Sequence, residues 1–146
     1  MEAKELWQEF VEKTKIEASY NAWAFGAQAD ELANLVLQGT KTATASAYPL
    51  YQIENEPLPE INQYDIILDS KEQAVCIIQN TKVSVHPFNE ISEEHAFKEG
   101  EGDRSLVYWR KEHERLFTQW MEEAGLTFTE SMPVVCEEFQ VVYVKK

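Results

Sequence analysis

The run Gly39-Thr40-Lys41-Thr42-Ala43-Thr44 holds one amine and three hydroxyls directly after a glycine. An amine beside a hydroxyl can bind a phosphate, activate a nucleophile or stabilise a developing oxyanion. It is not a Walker phosphate loop, because the leading glycine of G-x-x-x-x-G-K-[ST] is absent at its offset. The plain alternative is an exposed strand with a solubilising lysine. Lys41 and Thr44 lie three residues apart, so a regular strand would send them to opposite faces. They can share a site only if the strand bends or bulges near Lys41.

A second run, Lys98 to Ser105, alternates Glu99, Glu101 and Asp103 with Gly100 and Gly102 before Arg104. It reads either as a solvated acidic turn, with Asp103 capping the helix that follows, or as a ligand-facing loop. Glycines let backbone approach a ligand closely, and a carboxylate near Lys41 would orient the amine and support proton transfer. The run does not match the calcium loop pattern. His86, His95 and His113 have no metal-binding spacing, and Cys76 and Cys136 form no C-x-x-C pair. No metal and no cofactor are expected. Among the many aromatic residues, Trp7, Tyr48, Tyr51, Trp109 and Trp120 read as core. Trp23 and Phe25, flanked by small residues, are the candidates for stacking on a base.

These side chains need elements to hold them. Leu6, Trp7, Phe10 and Val11 share a helical face in the first segment. Residues 21–28 read as a loop. Residues 29–39 read as a helix, with Asp30 as its cap and Gly39 as its stop. Thr42, Thr44 and Ser46 alternate with Ala43, Ala45 and Ala47, the period of a strand. Three prolines mark residues 48–63 as a loop. Two strands follow, then a short helix over the start of "ISEEHAFKEGEGD". The longest helix carries Leu106, Trp109, His113, Leu116, Phe117 and Trp120 on one face. A last strand closes the chain. The elements do not alternate strictly, which disfavours a doubly wound parallel sheet. They predict an α+β domain with a mostly antiparallel, partly closed sheet.

The chain of 146 residues is long enough for one cored domain. With 26 acidic and 13 basic residues it carries a net charge of −13, which disfavours sequence-independent binding to duplex DNA. A small pocket for an uncharged nucleoside needs no basic surface. No apolar run approaches membrane-helix length, and the N-terminus lacks the apolar core of a signal peptide. A cytoplasmic protein with two buried free thiols is expected.

The runs "WAFG", "ELANLVLQGTKTATAS", "PFNEIS" and "EHAFKEGEGDRSLVYWRKEHERLF" occur in an order that resembles the ASCH-domain family. The resemblance spans nearly the whole chain and is closest to the small stand-alone bacterial members, implying one ASCH domain over residues 1–146. Its members have a β-barrel related to the PUA fold of RNA-modifying proteins, so the implied architecture is a PUA-like, mixed, mostly antiparallel β-barrel with flanking helices. The family fingerprint, G-x-K with an arginine five residues after the lysine, is matched at Gly39 and Lys41. Ser46 stands where the arginine would be, and Arg104 and Arg110 are the candidates to replace its charge. One branch of the family is an amidohydrolase that deacetylates N-acetylcytidine with a lysine, a threonine three residues later and a glutamate after a His-Ala pair. That resemblance implies Thr44 as nucleophile, Lys41 as its base or oxyanion partner, and Glu99 as the residue that holds Lys41 or shuttles the proton. Trp23, Phe25, Ser46, Glu101, Asp103, Arg104 and Arg110 would contact the ligand, a nucleoside or short RNA. The alternative is an RNA- or nucleotide-binding module without catalysis.

Overall fold

The structure, a computed structural model, describes residues 1–145. Helix α1 (Ala3–Thr14) buries Leu6 and Phe10, one turn apart, against Ile66 and Ile77. Residues 20–24, overlapping the stretch 21–28 expected to be a loop, form an edge strand, β1 (Tyr20–Ala24). Its burial does not alternate, so it leaves no period-2 signal. Helix α2 (Ala29–Leu37) buries Leu32, Ala33 and Val36. Asp30 is not its cap: Gln28 takes that position, and Asp30 instead accepts hydrogen bonds from the Ser70 backbone (2.8 Å) and hydroxyl (2.7 Å).

Strand β2 (Ala43–Ala47) forms where the alternation predicts a strand, with Ala43 and Ala47 buried and Thr44, Ala45 and Ser46 half-buried. The proline-bearing segment after it opens with a short helix, α3 (Tyr48–Ile53), rather than a loop. Pro49 is compatible because a helix's first turn leaves its N–H groups unpaired anyway. Strands β3 (Tyr64–Leu68) and β4 (Ala74–Pro87) lead to α4 (Glu93–Glu99), α5 (Leu106–Glu123) and β5 (Pro133–Val144). Ser105, not Asp103, caps α5: its hydroxyl accepts from the Tyr108 backbone at 3.1 Å. Asp103 accepts from the Ser105 backbone at 2.9 Å, which shapes the turn just before the cap.

Among the described residues five strands form one sheet in the order β1-β3-β4-β5-β2. In it β1 and β3 run parallel, and the other pairs are antiparallel. The two long central strands, β4 and β5, slip register between Ile77 and Ile78 and again between Asn80 and Lys82. Such bulges bend a strand and add twist. The sheet curls into a half-barrel, and its two edge strands, β1 and β2, come to line the same cavity. This is the α+β, mostly antiparallel, partly closed arrangement that the sequence pattern predicts, and it agrees with the PUA-like fold that the resemblance implies.

Helices α4 and α5 cover one end of the sheet through Phe88, Ala96, Trp109, Phe117, Met121 and Val134. Helix α2 covers the middle through Val36, Ile67, Cys76, Ile78 and Phe139. Both cysteines are buried and free, and burial pushes each thiol up to about 12. Among the described residues no helix is long and apolar enough to cross a membrane.

Candidate active site

The two sheet edges, α5, the end of α4 and the segment after α3 enclose a cavity of about 840 Å³. Lys41 and Thr44 both line it. Lys41 is not part of the strand, which starts only at Ala43. The strand parity that would separate the two side chains therefore never applies, and no bulge is needed. Gly39, at φ +78, turns the chain sharply out of α2. The Thr40 and Lys41 N–H groups then both donate to the Leu35 carbonyl at 3.0 Å. Thr42 N–H donates to the Lys98 carbonyl at 2.7 Å, which straps this turn to the end of α4.

Lys41 is among the most deeply buried side chains, 1% exposed. Its Nζ donates to Glu101 Oε2 (2.8 Å), Glu99 Oε1 (3.3 Å) and the Glu99 carbonyl (3.3 Å), which uses all three of its N–H groups. The Phe25 ring lies 5.3 Å from the same ammonium. The reading of Lys41 as a solvent-exposed solubiliser is excluded. A desolvated ammonium needs paired, hydrogen-bonded anions, and the acidic turn supplies them.

Glu99, also 1% exposed, receives four donors. Oε1 faces Lys41 and His113 Nε2 (3.4 Å); Oε2 takes His95 Nε2 and the Trp109 indole N–H, both at 2.6 Å. Burial alone would raise its pKa. The charges of His113 and Lys41, with hydrogen bonds from His113 and His95, outweigh it and hold the carboxyl well below the usual range. His113 mirrors this. Burial lowers its pKa, but attraction to Glu99 and the bond between them raise it further, so the net shift is upward. Its Nδ1 donates to the Trp109 carbonyl at 2.9 Å, and its ring stacks on Trp109 at 4.2 Å. Glu99 is thus a fixed anion at the hub of α4, α5 and the Lys41 turn. Glu99, Glu101 and His113 bring three potential metal-ligand atoms within 4.8 Å of one another, but Lys41 already supplies the positive charge at the two carboxylates.

The other expected site residues divide. Trp23 and Phe25 line the cavity and pack edge-on at 5.0 Å, with Trp23 on β1 rather than in a loop. Ser46 lines it beside Tyr51, their hydroxyls 2.7 Å apart. Glu101 reaches in to Lys41. Asp103, Arg104 and Arg110 are absent from the cavity wall. Arg104 donates to the Phe97 and Thr40 carbonyls and stacks on Phe97 at 3.6 Å; Arg110 donates to the Asn89 carbonyl. Both arginines are engaged with backbone carbonyls away from the cavity wall.

A group of residues that the sequence reading passed over also lines the cavity: Glu137 on β5, Asp65 on β3, and Gln63. Buried Asn80 donates to Glu137 Oε1 at 3.0 Å, and burial raises the Glu137 pKa to about 7. Burial also raises Asp65, although Gln63 and Trp23 donate to it. Phase gives no signal for them: Val134, Cys136 and Ile66, out of phase with these carboxylates, are buried as Val135 and Ile67 are, so both faces of the strands are covered here.

The ASCH domain model matches residues 21–143, and the chain belongs to this family. It is similar to protein EF3133 from Enterococcus faecalis V583 (38% identity, 97% of this chain and 88% of that one, TM-score 0.90). It is similar also to the ASCH domain from Lactobacillus crispatus JV V101 (31% identity, 96% and 93%, TM-score 0.90). The hypothetical protein PH0355 shares the fold at 16% identity, with 84% of this chain and 97% of that one covered and a TM-score of 0.52. No curated protein matches the chain.

Proposed function

We propose that this ASCH-domain protein is an amidohydrolase that removes the acyl group from an acylated nucleoside such as N-acetylcytidine. The observation that carries the reading is the Lys41 ammonium, fully desolvated and anchored on Glu99 and Glu101, bordering the same cavity as the Thr44 hydroxyl. In the reaction Thr44 Oγ1 attacks the acyl carbon, and charge develops on the carbonyl oxygen. The Lys41 ammonium supplies this stabilisation: Glu101 holds one N–H at 2.8 Å, and one of the two N–H groups on the longer 3.3 Å bonds to Glu99 turns to the oxyanion as it forms. In this role Lys41 is an electrostatic group rather than a base. Glu99 is a positioning residue: with four donors on its two oxygens it holds Lys41 and has no free lone pair directed at substrate.

The cavity volume suits a nucleoside, and Trp23 and Phe25 offer aromatic surface for its base. Its wall carries Glu54, Glu56, Asp65, Glu101, Glu112 and Glu137. Such a lining repels a phosphodiester and favours an uncharged ligand over RNA. The test is hydrolysis of N-acetylcytidine and related nucleoside amides by the wild type beside Lys41→Ala and Thr44→Ala. Turnover lost in both variants supports the reading. Absence of turnover by the wild type on every nucleoside amide overturns it, and salt-sensitive RNA binding in its place would indicate a binding module.

A further inference from the structure

The hydrolase reading leaves one step without a residue. Thr44 must lose a proton as it attacks, and the departing nitrogen must gain one. Lys41 has no lone pair to offer, and Glu99 is saturated. In the sheet, Thr44 of β2 pairs directly with Glu137 of β5. Residues opposite each other in an antiparallel pair project to the same face, with Cβ atoms about 5 Å apart. Both line the cavity.

We propose that Glu137 carries the proton in this reaction, taking it from the Thr44 hydroxyl and delivering it to the leaving nitrogen; this rests on the hydrolase reading above. In the first half, the Thr44 O–H bond breaks to Glu137 while Oγ1 bonds the acyl carbon. The carbon–nitrogen bond then breaks, and the nitrogen leaves with the proton from Glu137. In the second half, water gives a proton to Glu137 as its oxygen adds to the acyl carbon. The carbon–Oγ1 bond breaks, and Thr44 regains the proton. Amide and water become carboxylic acid and amine, with Glu137 unchanged.

The surroundings of Glu137 suit this work. Asn80 from β4 holds one oxygen, Oε1, which aims the carboxyl. Asp65 from β3 faces it as a like charge, and the Tyr51 hydroxyl of α3, its pKa raised first by burial, is raised further by the charge of Glu137. Lys41, Glu99, Glu101 and His113 stand elsewhere on the same wall. A carboxyl that is half ionised near neutrality, as burial makes this one, serves as base and acid in one cycle.

The experiment is a pH–rate profile on N-acetylcytidine for wild type, Glu137→Gln and Glu137→Asp, with a melting curve for each. Gln keeps an acceptor for Asn80, so the fold is expected to survive. The wild type is expected to lose kcat/KM below an inflection near pH 7. Glu137→Gln should lose that inflection and fall by about 10²–10⁴-fold. Glu137→Asp should keep the inflection at an intermediate rate. If Glu137→Gln retains both rate and inflection while the wild type is active, the proton role is overturned and the hydrolase reading stands. If the wild type is inactive on all nucleoside amides, the hydrolase reading fails and the role of Glu137 falls with it.

Discussion

A Cβ atom on Gly100 would stand 2.4 Å from the carbonyl oxygen of Thr40. The end of α4 and the turn that presents Lys41 therefore touch backbone to backbone, and Gly100 sits there at φ +72, a left-handed conformation. The contact brings the Glu99 carbonyl within reach of Lys41 Nζ. Gly100→Ala is expected to destabilise the protein by about 3 kcal/mol, combining left-handed strain with forced separation of the two segments. Gly39→Ala is the control. Gly39 is also left-handed, at φ +78, but nothing lies within 4 Å of its Cβ position. It should cost only about 1–2 kcal/mol. Urea denaturation of both variants checks the difference, and equal costs would refute the close-contact argument.

Removing one member of the Lys41–Glu99 pair leaves the other charge buried. Lys41→Met and Glu99→Gln are each expected to cost about 3–5 kcal/mol. The double variant should cost less than the sum, because Lys41 and Glu99 no longer leave each other unpaired, whereas the loss of Lys41 from Glu101 and of Glu99 from His113 enters additively. A double-mutant cycle by chemical denaturation measures the coupling. Additive costs would mean that Glu101, 2.8 Å from Lys41, carries the pairing instead.

Thr44→Ala separates chemistry from folding. Thr44 is only partly buried on an edge strand between Ala43 and Ala45. Its replacement should change stability by no more than about 1 kcal/mol. Turnover should vanish while the nucleoside still binds, as calorimetric titration with an unreactive analogue would show. Loss of binding together with turnover would make Thr44 a recognition residue rather than the nucleophile.

The elements that hold this site were legible where side-chain periodicity reports burial. The helical spacing of Leu106, Trp109, His113 and Phe117 marks α5, and the alternation of Thr44 and Ser46 with alanines marks β2. Strand β1 was invisible because its pairing with β3 is long-range and its exposure does not alternate. The resemblance to the family put Lys41, Thr44 and Glu99 together, and the fold brings Lys41 into contact with Glu99 and sets Thr44 on the same cavity. What sequence could not supply was connectivity. His95 meets Glu99 one turn along α4, a spacing that sequence does show, but that Trp109 and His113 converge on the same carboxylate depends on how α4 packs against α5. That Glu137 faces Thr44 depends on the register of β2 against β5. Arg104 and Arg110 look like ligand groups in sequence because a cation's position along the chain gives no hint of which carbonyl it will brace.

The buried carboxyl and imidazole also set how stability varies with pH. Glu137 binds its proton more tightly folded than unfolded, its pKa rising from 4.5 to about 7. Its contribution is present at low pH and is lost as pH rises through that window. His113 is raised above its ordinary 6.5, so its contribution is present below that value and is lost as pH climbs through the folded pKa. Glu99 acts oppositely: held well below 4.5, it loses its contribution only as pH falls beneath the ordinary carboxylate range. The stability maximum is therefore expected on the acid side of neutrality, near pH 5–6 by these windows. Melting temperatures measured from pH 4 to 9 should peak there and decline by pH 8. Glu137→Gln removes the cost of ionising a buried carboxyl. It should be more stable than the wild type at pH 8, by up to about 3 kcal/mol, with the gap closing toward pH 5. A wild type that is most stable at pH 8, or a variant whose advantage does not depend on pH, would show that Glu137 ionises at an ordinary pKa and is solvated in the cavity.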